Sequence, residues 1–192
     1  MNTSDKKFWE ERYDEQNTGW DLGQCSPPLR DWFDREENKQ LNILIPGAGN
    51  AYEAEYLYKS GFTNVVVLDF AEAPILNFRK RVIDFPQEQL ILQDFFEHEK
   101  KYDRIVEQTF FCAIPPDYRE RYVEKIKELL VPGGKLIGVL FDRYFPEGPP
   151  FGGSAIEYKQ LFETHFSSVK IYPCLHSVTP RMGTEVFIEI EK

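Results

Sequence analysis

Apolar residues in this chain gather in short runs, separated by longer stretches rich in charge. LNILIP (41–46), NVVVLD (64–69), QLILQ (89–93), YDRIVEQ (102–108) and GKLIGVLF (134–141) read as strands. Between them, residues 51–60, 72–83 and 117–131 read as helices, the last stopped by the breaker Pro132-Gly133-Gly134. Near-continuous apolar strands alternating with helices predict an α/β fold with a parallel sheet covered on both faces. The tail departs from that alternation. A helix at 154–165 is followed by strands at 168–174 and 184–190 with only a loop between them. Those two strands are predicted to pair antiparallel at one edge. Upstream, residues 5–17 read as an amphipathic helix with Phe8, Trp9 and Tyr13 near one face, and residues 18–30 as a loop rich in Gly and Pro. Ligands of such sheets sit at the carboxyl ends of the strands, near the topological switch point.

Composition narrows the picture. A length of 192 residues, 42% of them hydrophobic, suits one domain over residues 1–192 with a real core. The formal charge of −9 argues against nucleic acid, whose recognition draws on a basic face, and favours a small or cationic ligand. No apolar run approaches the roughly 18–20 residues of a membrane span. The N-terminus is charged and lacks an apolar core of the secretory kind, so no signal peptide is read. Cys25, Cys112 and Cys174 lie far apart, without CxxC or metal-ligand spacing. The expectation is a reduced, cytoplasmic chain with no metal and no membrane partner.

Gly47 and Gly49 follow the first strand and open the first helix, where the backbone turns sharply and a side chain would block a ligand. Asp69 ends the second strand, in the usual range of about 20 residues for a ribose-binding acid. Asp94 ends the third and precedes Phe95. A plain turn with capping aspartates is the alternative. A dinucleotide fingerprint would need a third glycine at 52, where Tyr52 stands, and Glu53 would repel a pyrophosphate. An NAD-dependent oxidoreductase is thereby disfavoured. A phosphate-free nucleoside with a positive centre, S-adenosylmethionine, fits better: Asp69 for the ribose, Asp94 for the adenine amino group, Phe95 as an apolar wall.

Six stretches carry a family resemblance: GWDLGQCSPPL (19–29), IPGAGNAYE (45–53), VVLDFAEAPI (67–75), QDFFEHEKKYDRIVEQTFFCAIPPDYR (93–119), LLVPGGKLIGVLF (129–141) and EGPPF (147–151). Through them the chain resembles the thiopurine S-methyltransferase superfamily, in particular its plant-type thiol and halide/thiocyanate branch. WD-x-G followed by P-x-L, FFCAI and GPPF are the specific elements, whereas the glycine turn is common to many methyltransferases. The resemblance implies a Rossmann-like class I methyltransferase sheet of seven strands, the last inserted antiparallel. It implies that Trp9 and Trp20 close over the cofactor, with Tyr13 where a third tryptophan often stands. Gly47 and Asp69 match the cofactor turn and ribose acid, and Asp94 and Phe95 the adenine contacts. Gln108 is carried over as a cofactor contact although it stands where the plant branch has a tyrosine; Ala51 stands where that branch has glycine, and Glu107 where it has aspartate.

Several residues carry a bland reading beside this one. Spacing alone makes Trp9 and Trp20 packing residues, and only the WD-x-G context gives them a cofactor role. Phe110 and Phe111 read as core. His98, His165 and His176 show no ligand spacing and read as surface or loop residues. Cys112 reads as an unreactive buried thiol. Arg143 and Arg181 stand open between contacts to an anionic acceptor and plain surface charges. Methyl transfer from a sulfonium asks the protein to position and desolvate. A thiolate, thiocyanate or halide is already a good nucleophile, so no base is required and no catalytic residue is assigned. The expected activity is in-line methyl transfer to a small thiol or an inorganic sulfur or halide anion. A non-catalytic S-adenosylmethionine-binding protein fits the same residues. Exocyclic-amine methylation would call for an Asn/Asp-Pro-Pro-aromatic motif after the fourth strand, where this chain has EQTFFCAIPP. Residues 1–30 are expected to form a lid, with Trp20 as a wall and Asp21 as an anchor.

Overall fold

The computed structural model describes residues 5–192 of the chain. Two helices, α1 (Lys6–Asp14) and α2 (Pro27–Phe33), precede the sheet. Then follow β1 (Ile43–Pro46), α3 (Tyr52–Lys59), β2 (Val65–Asp69), α4 (Glu72–Arg81), β3 (Leu90–Leu92), β4 (Tyr102–Gln108), α5 (Arg119–Leu129) and β5 (Leu130–Phe141). The chain ends with α6 (Ala155–Glu163), β6 (Ser168–Pro173) and β7 (Glu185–Glu191). The seven strands form one sheet in the order β3-β2-β1-β4-β5-β7-β6. Strands β1 to β5 pair in parallel, while β7 lies antiparallel between β5 and β6. This is the mixed sheet that the tail pattern predicts. The strand order reverses between β1 and β4, which makes their carboxyl ends the switch point.

Burial on both faces explains the unbroken apolar strands. In β1, Leu44 packs into a cluster with Tyr122 and Ile126 of α5, while Ile43 and Ile45 pack on the opposite face with Leu57 of α3 and Phe33 of α2. Alternation in β5 is the same, with Leu136 and Leu140 on the first side, Ile137 and Val139 on the second. Among the described residues no helix is long and apolar enough to cross a membrane.

Two expectations change. Residues 18–30 are not loop throughout, because Pro27 and Pro28 open α2. Proline suits a first helical turn, since its fixed φ is helical and its missing N–H would have had no partner. Leu29 and Phe33 then reach the core. The Pro132-Gly133-Gly134 breaker does not end α5 either. Helix α5 stops at Leu129, and Leu130, fully buried and extended, already pairs with Tyr102. Pulling Leu130 into the core draws the chain into the sheet ahead of the proline, and the ladder absorbs the excess as a register shift between Tyr102 and Arg104.

One strand position is sterically exacting. Glu107 of β4 is fully buried and faces Gly138 of β5. A Cβ on Gly138 would lie 2.7 Å from the Glu107 carbonyl oxygen. Gly138→Ala is therefore expected to destabilise the protein by about 1–3 kcal/mol through overpacking. Urea denaturation measures this, and a midpoint equal to wild type would contradict it.

Candidate active site

The site is built from the carboxyl ends of the central strands. Leaving β1, the chain turns at Gly47 and Gly49, both at φ +53°. The Gly49 N–H donates to Asp69 Oδ2 at 3.0 Å, and the Ala71 N–H donates to Asp69 Oδ1 at 2.9 Å. Asp69 is buried, and burial pushes its carboxyl up to about 6 against the pull of these backbone donors. On the other side of the turn, Gly47 meets Phe110: any Cβ there would overlap the phenyl ring. Gly47 is thus demanded by a protein side chain as well as by its left-handed φ, a reason different from the ligand approach expected of it.

Phe110 is placed by Glu107. Glu107 Oε1 accepts from the N–H groups of Phe110 and Phe111 at 2.8 and 2.9 Å, and its Oε2 accepts from the Tyr122 hydroxyl at 2.6 Å. Burial pushes this carboxyl up to about 7, with the three donors opposing the shift. The sequence marks Glu107 only as a replacement for aspartate; its signal is a carboxylate directly after the apolar pair Ile105-Val106 of β4.

A cavity of about 610 Å³ opens at these strand ends, with Gly47, Gly49, Asp69, Asp94 and Phe95 in its wall. Asp94 caps a short 3₁₀ turn by accepting from the Phe96 N–H at 2.8 Å, and Phe95 is buried edge-on against Phe110. From the N-terminal arm, Trp9, Tyr13 and Trp20 line the same cavity. Trp20 stands edge-on to Trp9 at 5.4 Å and to Tyr13 at 5.7 Å. The Tyr13 hydroxyl lies beside Gly49, and burial with Asp69 nearby pushes the phenol far up, so it stays protonated.

Three contacts tie the arm down. Arg181 Nη2 donates to the Trp20 carbonyl at 2.8 Å, Asn50 donates to Asp21, and the Ser26 N–H donates to Glu53 Oε1 at 2.9 Å. Arg181 is buried, beside Glu185 at 3.5 Å, and lines the cavity, so it is not a surface charge. Arg143 is exposed and also lines the cavity, with its guanidinium 4.7 Å from the Phe145 ring centre.

Other expectations change here. Gln108 lies off the main cavity. It lines a space of about 40 Å³ behind the glycine turn, with Asn50 and Glu53, and its Oε1 is buried without a partner. Of the two phenylalanines read as core, Phe111 is core whereas Phe110 is a cavity wall. His98 is buried rather than on the surface, because both ring nitrogens have partners: Gln93 Oε1 at 3.0 Å and the Tyr102 hydroxyl at 2.7 Å. Burial pushes its pKa down, in keeping with a neutral ring. Cys112 lines the cavity as a buried thiol that burial pushes up, with Sγ 3.2 Å from the Thr109 carbonyl. Among the described residues no His, Cys, Asp and Glu cluster could hold a metal ion. Arg12 and Arg121 line the cavity with no signal in the sequence that marked them.

The profile of the family described as Thiopurine S-methyltransferase matches residues 4–182. The chain belongs to that family. It is 30% identical to a probable thiol methyltransferase 2 of Arabidopsis thaliana, over 96% of this chain and 84% of the relative. It is 27% identical to the thiopurine S-methyltransferase of Acinetobacter baylyi, over 81% of this chain and 82% of the relative. Among solved structures, it resembles the 1,6-didemethyltoxoflavin-N1-methyltransferase of Burkholderia thailandensis with bound S-adenosylhomocysteine, at TM-score 0.75 and 17% identity, covering 97% of this chain and 86% of that one. It also resembles the magnesium protoporphyrin IX methyltransferase of Synechocystis with bound S-adenosylmethionine, at TM-score 0.75 and 12% identity, covering 100% and 98%. These likenesses show the class I methyltransferase fold that the sequence implied. Methyl transfer from S-adenosylmethionine, the expected chemistry, is that of the family.

The state of Glu107 has a measurable consequence. Its folded-state pKa of about 7 lies above the ordinary 4.5. Ionisation therefore costs the folded state more than the unfolded one, and stability falls as pH rises between those values. Glu107→Gln keeps the acceptor for Phe110 and Phe111 but cannot ionise. Urea midpoints from pH 4.5 to 7 should fall less in the variant than in wild type. Identical pH dependence in the two proteins would contradict the assignment.

Proposed function

We propose that this protein transfers a methyl group from S-adenosylmethionine to a small thiolate, or to an inorganic sulfur or halide anion, by in-line displacement. The observation that carries the reading is the composition of the cavity wall. It joins the carboxylates Asp69 and Asp94 and the aromatic faces of Phe95 and Trp20 to four arginines, and holds no histidine, lysine or glutamate among the described residues.

The residues fit the cofactor. Asp69 and Asp94 offer acceptors for ribose hydroxyls and an adenine amino group, and aromatic faces suit a sulfonium. A dinucleotide turn would carry a third glycine at position 52, where Tyr52 stands. When bound, S-adenosylmethionine supplies an electrophilic methyl group, whose transfer joins that carbon to the acceptor and leaves the sulfonium bonding pair on the cofactor sulfur, with no proton to move. The protein's part is to bind, orient and exclude water. Neither Cys112, held as a thiol, nor Asp69, with both oxygens engaged by backbone N–H groups, serves as a base for the acceptor. We read residues 1–192 as one domain whose first 30 residues close over the cofactor. Residues 1–4 lie outside the described part, and the arm from residue 5 supports the lid through Trp9, Tyr13 and Trp20.

Two outcomes test this. With isotopically labelled cofactor at saturation, the rate for a thiol should follow its thiolate fraction as pH rises above the range in which the buried carboxyls Asp69 and Glu107 titrate, with no further enzymic pKa there. A bell-shaped profile with iodide, which does not titrate, would contradict a base-free reaction. Asp69→Ala should weaken cofactor binding by roughly 1.5–3 kcal/mol, the worth of a charge-assisted hydrogen bond. Calorimetry on a variant with wild-type circular dichroism checks this, and unchanged affinity would remove Asp69 from the site.

A further inference from the structure

The loop after β5 adds a wall to the cavity, and an arginine outside the cavity holds that loop. The sheet order puts Gly47, Asp69 and Asp94, at the ends of β1, β2 and β3, on one side of β4, and the loop after β5 on the other. From that loop Phe145, Pro149 and Pro150 line the cavity, together with Cys112 and Ile114 from the segment after β4. None of these five is among the residues assigned to the cofactor. Proline has no backbone N–H, so Pro149 and Pro150 donate no hydrogen bond of their own. The residues after them supply the anchors. The Phe151 N–H donates to the Cys112 carbonyl at 2.6 Å, and the Gly153 N–H donates to the Arg143 carbonyl at 2.9 Å. Gly152 packs so closely that a Cβ on it would lie 1.8 Å from the Arg143 carbonyl oxygen. The carbonyls of Phe151 and Gly152 both accept from Arg119 Nη2, at 3.2 and 2.8 Å.

Arg119 occupies an unfavourable place for a cation. It is the first residue of α5, where the helix dipole disfavours positive charge, and its Nε is buried without a partner. What it gains is the pair of loop carbonyls and the ring of Phe111, whose centre lies 4.7 Å from the guanidinium carbon. Phe111 is buried, and its N–H is bound by Glu107, the carboxylate that also binds the Phe110 N–H. The loop after β5 is thus tied through Arg119 to the same acid that fixes Phe110 under Gly47. Arg119 itself does not line the cavity.

We propose that Arg119 is a positioning residue for the acceptor: its guanidinium fixes residues 151–152, and through them the Pro149-Pro150 wall against which the apolar part of an organic thiol rests. It touches neither reactant. This rests on the methyltransferase reading above and deepens it. The cofactor half of the cavity, built on the ends of β1 to β3, does not depend on Arg119.

Hydrogen exchange and turnover test this on the full-length protein. Arg119→Met keeps the stem and removes the donors, whereas Arg119→Lys keeps the charge and a donor. Without ligand, the amides of Phe151 and Gly153 should exchange about tenfold or more faster in Arg119→Met than in wild type, as read by NMR, while the Gly49 amide keeps its rate. With labelled S-adenosylmethionine, kcat/KM is compared for thiophenol and iodide at a pH where the thiol is ionised. Both acceptors are then monoanions, so loss of a distant charge lowers them alike, whereas loss of an apolar wall lowers thiophenol alone. The thiophenol-to-iodide ratio should fall about tenfold in Arg119→Met, through the KM of thiophenol rather than kcat, and recover in part in Arg119→Lys. Calorimetry should find S-adenosylhomocysteine affinity within about twofold of wild type in both variants. Unchanged exchange at Phe151 and Gly153, an unchanged ratio, or an equal loss of thiophenol and S-adenosylhomocysteine binding would overturn the proposal. If Arg119→Met does not fold, Arg119→Lys is held to the same criteria against wild type. Methylation of neither acceptor by wild type would count against the methyltransferase reading, and the exchange rates would then decide the clamp by themselves.

Discussion

The turn that follows β1 is held between two carboxylates that the fold buries. Asp69, at the end of β2, binds the Gly49 N–H from one side. Glu107, near the end of β4, binds the N–H groups of Phe110 and Phe111 on the other and so presses the Phe110 ring against Gly47. A buried carboxylate is costly unless donors satisfy it, and here the donors are the loop backbones themselves. Each acid therefore fixes a loop at the switch point of the sheet. The backbone of the cavity floor is thus hydrogen-bonded by the protein itself, with the N-terminal arm and the arginines around it.

Much of this was legible in the sequence, for identifiable reasons. The parallel sheet was readable because strands buried on both faces must be apolar at every position, as β1 is. The antiparallel edge was readable because no α-helix separates β6 from β7, only a loop with the 3₁₀ turn Thr179–Arg181. Asp69 and the glycines were readable because a turn at a strand end restricts residue type. What escaped depended on contacts distant in the chain. Gly47 answers to Phe110, 63 positions later. His98 lies in a loop, as read, but is buried there because Tyr102 and Gln93 supply partners for its ring. Leu130 drew the chain into the sheet ahead of a proline that local rules made the boundary. The arginines of the cavity wall were invisible because Arg12, Arg121 and Arg143 come from three segments that only the fold brings together.

The charge arrangement also connects fold to the proposed chemistry. On that reading a sulfonium gains from aromatic faces and nearby carboxylates, an anionic acceptor gains from arginines, and one cavity wall carries both kinds of group. Arg181 joins the two halves, since it lines the cavity, pairs with Glu185 and holds the Trp20 carbonyl of the arm. Covering the site excludes water and strengthens these attractions without requiring a proton relay.

The most direct test of a phosphate-free nucleoside pocket clamped by Asp69 and Glu107 is calorimetric titration of the intact protein with S-adenosylhomocysteine and, separately, with NAD. The account predicts saturable binding of S-adenosylhomocysteine at one site per chain and no measurable heat of binding with NAD. Binding of NAD, or no binding of S-adenosylhomocysteine, would contradict it.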